Sequence, residues 1–280
     1  MSLTSDQETL KQSLLATGET WSSSFENLLK LDPDYFTAYT NLRSVPRTRQ
    51  ALPIKTQELL LLAIDAAVTH LDSSGVRVHT AAALAAGASR EEILETLELS
   101  SVLGVHAVTV GVPTLLEVLE EAGTPFPSTA PLTPHQQALK DAFTEKRGYW
   151  GTSWDPVLRL SPDFFEAYTA FSSVPFSENH SKLDAKTKEL VYTAIDCSTT
   201  HLYQPGLKVH VRNAVKYGAT PEEVMEVFEL AALMGVKTTL MGVDALVRDG
   251  EESGGSGQAR VGAGAGVGRG WGGGPWGLGY

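Results

Sequence analysis

The feature that most constrains this chain is an internal duplication. LDPDYFTAYTNLRSVP, from Leu31 to Pro46, returns as LSPDFFEAYTAFSSVP, from Leu160 to Pro175. ELLLLAIDAAVTHLDSSGVRVH, from Glu58, returns as ELVYTAIDCSTTHLYQPGLKVH, from Glu189, with half of the aligned positions identical. LAAGASREEILETLELSSVLGV then matches VKYGATPEEVMEVFELAALMGV. A period of about 130 residues is domain-sized, so this is a duplicated module and not a solenoid. The expected organisation is a first module over 1–122, a Pro/Ser/Thr-rich linker over 123–134, a second module over 135–250 and a Gly-rich tail over 251–280. The tail is too poor in apolar side chains to order itself.

The modules read as all-α. Ser89-Arg90-Glu91-Glu92 and Thr220-Pro221-Glu222-Glu223 are capping boxes, each preceded by a glycine, Gly87 or Gly218, where the helix before it would end. Asp32-Pro33 and Ser161-Pro162 give further helix starts. Period-two alternation bounded by turns, the signature of strands, is not evident.

One helix in each copy carries a polar stripe. At 3.6 residues per turn, Glu58, Asp65 and Thr69 share one side of a helix that is otherwise Leu, Ala, Ile and Val. Glu189, Asp196 and Thr200 repeat the pattern. Such a helix is expected to be buried, and buried carboxylates are costly unless paired or in a wet pocket. His70 and His201 end this helix, where the dipole would favour their protonated form. A turn follows, Asp72-Ser73-Ser74-Gly75 or Gln204-Pro205-Gly206. A new helix beginning near Val76 or Leu207 would hold His79 or His210 in its first turn. There it would be neutral and suited to proton transfer. The same residues could instead be packing features, a buried Glu–His hydrogen bond locking two helices.

Several classes of function find no support. The net charge of −11 argues against nucleic acid and anionic membrane as partners. The polar, acidic N-terminus is unlike a signal or transit peptide. The longest apolar stretches are broken by Asp, Glu or His before the ~18 residues of a membrane span. The single cysteine, Cys197, permits no intrachain disulfide and fits a cytoplasmic location. Histidines nine residues apart across a turn are not a recognised metal-ligand spacing. No Gly-x-Ser-x-Gly elbow and no phosphate-binding glycine loop occur.

The unit E-L-x5-D-x3-T-H-L-x3-G-x2-V-H, followed by A-x4-G-A-[ST]-x-E-E-[IV], resembles the carboxymuconolactone decarboxylase family within the alkylhydroperoxidase D-like fold. The resemblance covers residues 52–123 and 183–250. It implies two tandem alkylhydroperoxidase D-like helical modules. Peroxidase-type members carry a Cys-x-x-Cys pair, and here the two positions hold His70 and Ser73, or His201 and Gln204. Cys197 aligns with Ala66 and is no survivor of the pair, so redox chemistry would need Cys197 itself to be reactive.

The resemblance therefore points to the decarboxylase branch, a lyase without cofactor or metal. It implies His79 and His210 as proton-transfer groups, and Glu58 and Glu189 as the residues that orient them. Thr69, His70, Thr200 and His201, with Asp65 and Asp196, would line the pocket. The substrate would be a small cyclic lactone, aromatic or polyketide-like carboxylic acid or a related carbonyl compound, and the protein a homo-oligomer, such as a trimer. A non-catalytic helical scaffold or small-molecule binding protein is the alternative; a stripe that opens into a pocket would favour the enzyme. The two sites cannot be chemically identical, because His106 in the first copy stands where the second has Lys237.

Overall fold

In the computed structural model the described residues are 2–127, 129–147 and 150–254, and among them there is no strand. The first module consists of α1 (Ser5–Ala16), α2 (Ser23–Leu31), α3 (Pro33–Arg49), α4 (Ile54–Ala66), α5 (Ser73–Ala85), α6 (Arg90–Ser101) and α7 (His106–Glu121). The second repeats the order with α8 (Pro134–Arg147), α9 (Trp154–Leu160), α10 (Pro162–Ser173), α11 (Ala185–Cys197), α12 (Gln204–Lys216), α13 (Pro221–Ala232) and α14 (Val236–Gly254). Both capping boxes form at the expected places, from Ser89 and Glu92 at α6 and from Thr220 and Glu223 at α13. Gly87 and Gly218 both adopt φ +90°, the left-handed conformation that ends the preceding helix.

α4 and α11 lie side by side at the centre. Leu59, Leu60 and Leu62 of α4 and Leu190 and Val191 of α11 are fully buried in one core shared by both modules. Each such side chain contributes about 1.5–3 kcal/mol of burial free energy. A pseudo-twofold axis runs between the two helices. Equivalent residues meet on it, Thr69 Oγ1 and Thr200 Oγ1 being 3.5 Å apart. Buried glutamates cross it reciprocally. Glu226 accepts from the backbone N–H of Ala51 and Leu52 and from Gln57, while Glu95 accepts from those of Lys182 and Leu183 and pairs with Lys188. This is the self-complementary pattern of a twofold interface, built within one chain.

The last helix of each module packs on the other module. Asp244 of α14 accepts hydrogen bonds from Ser24 and Asn27 of α2, at 2.6 and 3.1 Å. Val108 and Val112 of α7 pack against the aromatic cluster of α8–α10. Here the symmetry breaks. Leu28, Leu29 and Phe36 of α2 and α3 merge with the shared core. Phe143, Val157, Leu158 and Phe165 of α8–α10 form a separate cluster.

Four sequence expectations need correction. α5 and α12 begin at Ser73 and Gln204, so His79 and His210 sit in the second helical turn, not the first. The cause at α5 is Asp72, which caps the helix by accepting from the N–H groups of Ser74 and Gly75. Thr69 and Thr200 lie beyond the ends of α4 and α11, in the turns that follow. The helical runs 90–121 and 221–248 are long and apolar enough to cross a membrane by length and composition. The polar interruptions are too sparse to lower the average; α6 and α13 within those runs contribute side chains to the core, whereas α7 has no buried residue. α14 runs through Gly254, past the expected start of the tail; residues 255–280 lie outside the described residues.

Candidate functional site

In the second module, the 21-residue spacing brings α11 and α12 together so that His210 Nδ1 meets Glu189 Oε2 at 2.7 Å. The other carboxylate oxygen accepts from Asn213 Nδ2 at 3.2 Å. With a carboxylate on Nδ1, that nitrogen donates and Nε2 is left for the cavity that the ring borders. The Tyr192 ring packs on the imidazole with centroids 4.5 Å apart.

The cavity measures about 430 Å³. It is the gap between the shared core and the separate aromatic cluster. Leu103, Ile195, Asp196 and His210 border it on one side, Phe143, Trp154 and Tyr168 on the other. None of its lining residues is Lys or Arg. Asp196 is 1 % exposed, its Oδ2 has no hydrogen-bond partner, and burial pushes its carboxyl up to about 7.

His106 enters this site from the first module. Its Nδ1 lies 2.7 Å from His201 Nε2, and its ring stacks on Tyr203 at 3.8 Å. Tyr203 is held in turn by its hydroxyl, 3.0 Å from Thr109 Oγ1. Burial, and then the neighbouring His201 and His210, push His106 down to about 4. His201 is also lowered by burial, which corrects the expectation of a protonated imidazole. The helix ends at Cys197, and a dipole acts only within the last turn.

The first module holds the same pair, His79 Nδ1 to Glu58 Oε2 at 2.7 Å. Its surroundings differ. Arg47 pairs with Glu58 where the second module has Asn213 on Glu189. Burial opposes ionisation of Glu58, but His79 and Arg47 outweigh it and hold the carboxyl below its ordinary range. Lys237, reaching in from α14, pairs with Asp65, lies 2.7 Å from Asp72 Oδ2 and 3.4 Å from His70 Nε2. Lys237 thus stands at the position that His106 takes beside the cavity of the second module.

Asp196 and His210 thus border a cavity, with Glu189 behind His210 and His201 on His106, while Asp65 and His70 gather around a lysine and Glu58 pairs with His79 and Arg47. Thr69 and Thr200 join neither group; both are exposed on the pseudo-twofold axis. Sequence reasoning missed Arg47, Asn213 and the aromatic wall. It noted that His106 and Lys237 differ, but the reciprocal crossing that carries each into the other module leaves no mark in local spacing. Gly75 and Gly206 are needed where they stand, since a Cβ on either would overlap Oδ2 of Asp65 or Asp196. Cys197 donates to Ala194 O, and burial, with Asp196 beside it, pushes its thiol up to about 12.

The model of the carboxymuconolactone decarboxylase family matches residues 33–122 and 162–248. The crystal structure of a protein from Burkholderia xenovorans LB400, named provisionally as a gamma-carboxymuconolactone decarboxylase subunit, superposes with a TM-score of 0.83. It is 43% identical, and the match covers 88% of this chain and 98% of that one. No curated protein matches.

Proposed function

Because the chain belongs to the carboxymuconolactone decarboxylase family, we propose that its second module is a lyase site that decarboxylates a small cyclic carboxylic acid. The observation that carries this reading is that His210, held by Glu189, borders a cavity of about 430 Å³. The volume suits a single-ring or two-ring molecule, being at the small end of ligand pockets. The name of the Burkholderia relative makes gamma-carboxymuconolactone the first substrate to try. Lactone, aromatic and polyketide-like acids follow.

The chemistry asks little of the protein. The C–C bond to the carboxylate breaks, CO2 leaves, and the electron pair moves into a conjugated carbonyl as an enolate-like oxyanion. An apolar wall of Phe143, Trp154 and Ile195 favours this spread of charge over a localised carboxylate. The proton that restores the carbon comes from His210 Nε2, and Glu189 on Nδ1 orients the ring and supports its cationic form.

The first module has a different part in this reading. Its Glu–His pair is braced by Arg47, and its carboxylates are neutralised by Lys237, so it serves as scaffold. The test is release of CO2 from gamma-carboxymuconolactone and a panel of cyclic acids. A substrate that is turned over by the wild type and is lost with His210→Ala supports the lyase. Binding of such acids with no turnover by any of them would favour a small-molecule binding protein.

A further inference from the structure

We propose that the second module binds one divalent transition-metal cation, held by His106, His201 and Asp196 and open to the cavity. One ligand atom from each of the three lies within 4.8 Å of the others. The site is assembled from both modules, which is why no spacing in the sequence announces it.

The first module shows what this locus is built to hold. Asp65, His70 and Asp72 surround the Lys237 ammonium, a cation supplied by the chain itself. In the second module Asp196 and His201 keep the positions of Asp65 and His70. The counterpart of Lys237 is His106, however, and that of Asp72 is Tyr203. The built-in cation is gone and a third donor has replaced it. Asp196 is left 1 % exposed, and its Oδ1, the counterpart of the oxygen that Lys237 neutralises on Asp65, is 3.8 Å from His201 Nε2, beyond hydrogen-bond reach. A buried carboxylate in this state costs free energy that a bound cation would remove.

The donor set selects the class of cation. Two imidazoles and one carboxylate suit Zn2+ and its first-row neighbours, whereas Ca2+ and Mg2+ prefer oxygen throughout. Metal–nitrogen bonds of ~2.0–2.1 Å at tetrahedral angles put two ligand nitrogens about 3.3–3.4 Å apart. The His106–His201 pair, now at 2.7 Å, would open by about 0.6–0.7 Å. Tyr203 stacks on His106 and fixes the plane of its ring. Three protein ligands leave a fourth position, and since His106 and Asp196 border the cavity, that position faces it. On the lyase reading, a substrate oxygen would take it.

The test uses the full chain, stripped with a chelator and dialysed against Zn2+ alone, with bound metal measured by elemental analysis. The expected result is one Zn2+ per chain. His106→Lys, which recreates the lysine of the first module, and Asp196→Asn should each reduce binding to background, while His135→Ala leaves it unchanged. If His106→Lys fails to fold by circular dichroism, His201→Gln takes its place. Sub-stoichiometric binding by the wild type, or binding that survives both substitutions, would overturn the proposal. The readout needs no substrate. Turnover by a chain that binds no Zn2+ would therefore overturn the metal site alone, leaving the lyase reading intact.

Discussion

Lys237 of the second module reaches to within 2.7 Å of Asp72 in the first. Its counterpart, His106, makes the reverse crossing and meets His201 instead. A cation in one place and a neutral ring in the other separate a closed ion cluster from an open cavity.

Lys237→Met should destabilise the protein without touching turnover. It leaves Asp65, 3% exposed, and Asp72 without their cation. An unsatisfied buried carboxylate of this kind costs ~1–3 kcal/mol. Urea unfolding would measure the loss. A stability equal to wild type would mean that the lysine is not what neutralises the cluster.

The same cluster should be felt at low pH. Burial raises the pKa of Asp72, but Lys237 and the N–H of Gly75 outweigh it and hold it near 2, against an ordinary 3.8. A carboxyl lowered in the folded state contributes stability above its unfolded pKa, and that stability drains away as pH falls from about 4 to about 2. Unfolding measured across this window should show a shallower loss in Asp72→Asn than in wild type. Parallel curves would remove Asp72 from the account.

Cys197 should resist thiol reagents in the native protein and react once urea unfolds it. Its sulfur is partly buried against the core and its thiolate is disfavoured. Rapid native labelling at pH 7.5 would revive a redox reading.

Assembly beyond one chain is expected through α7 and α14. Val110, Leu115 and Val118 of α7 and Met241 and Leu246 of α14 are exposed apolar side chains, and apolar patches of this kind mark interaction sites. Light scattering at micromolar concentration should report a multiple of the 30.0 kDa chain. A lone monomer peak would contradict this.

The helices and the Glu–His pairs were legible because their determinants are local. Capping boxes at Ser89 and Thr220, left-handed glycines at 87 and 218, and apolar periodicity act within a few residues. The 21-residue Glu-to-His spacing acts within one helical hairpin. That the two sites differ was legible in the exchange of His106 for Lys237, but what the exchange contacts was not, because Lys237 meets Asp65 from 172 positions away and His106 meets His201 from 95. Whether a cavity forms was also hidden. It depends on α8–α10 packing their aromatic residues on one another instead of on the shared core. The early start of α5 was missed because Asp72 was read as part of a turn, although Asx side chains cap helices as readily as they make turns, and that of α12 because Pro205 was read as turn although proline is favoured in the first helical turn.

The central claim is that one chain carries one working site and one structural copy of it. The most direct test compares His210→Ala with His79→Ala, measuring thermal unfolding and per-molecule turnover on any acid that the wild type decarboxylates. His210→Ala should lose ~10²–10⁴-fold in turnover, the range for lost general acid–base help, with little change in Tm. His79→Ala should keep its turnover and melt lower, because it removes a buried partner of Glu58 at a cost of ~1–3 kcal/mol. Equal loss of turnover in both variants, with both melting like wild type, would contradict the account.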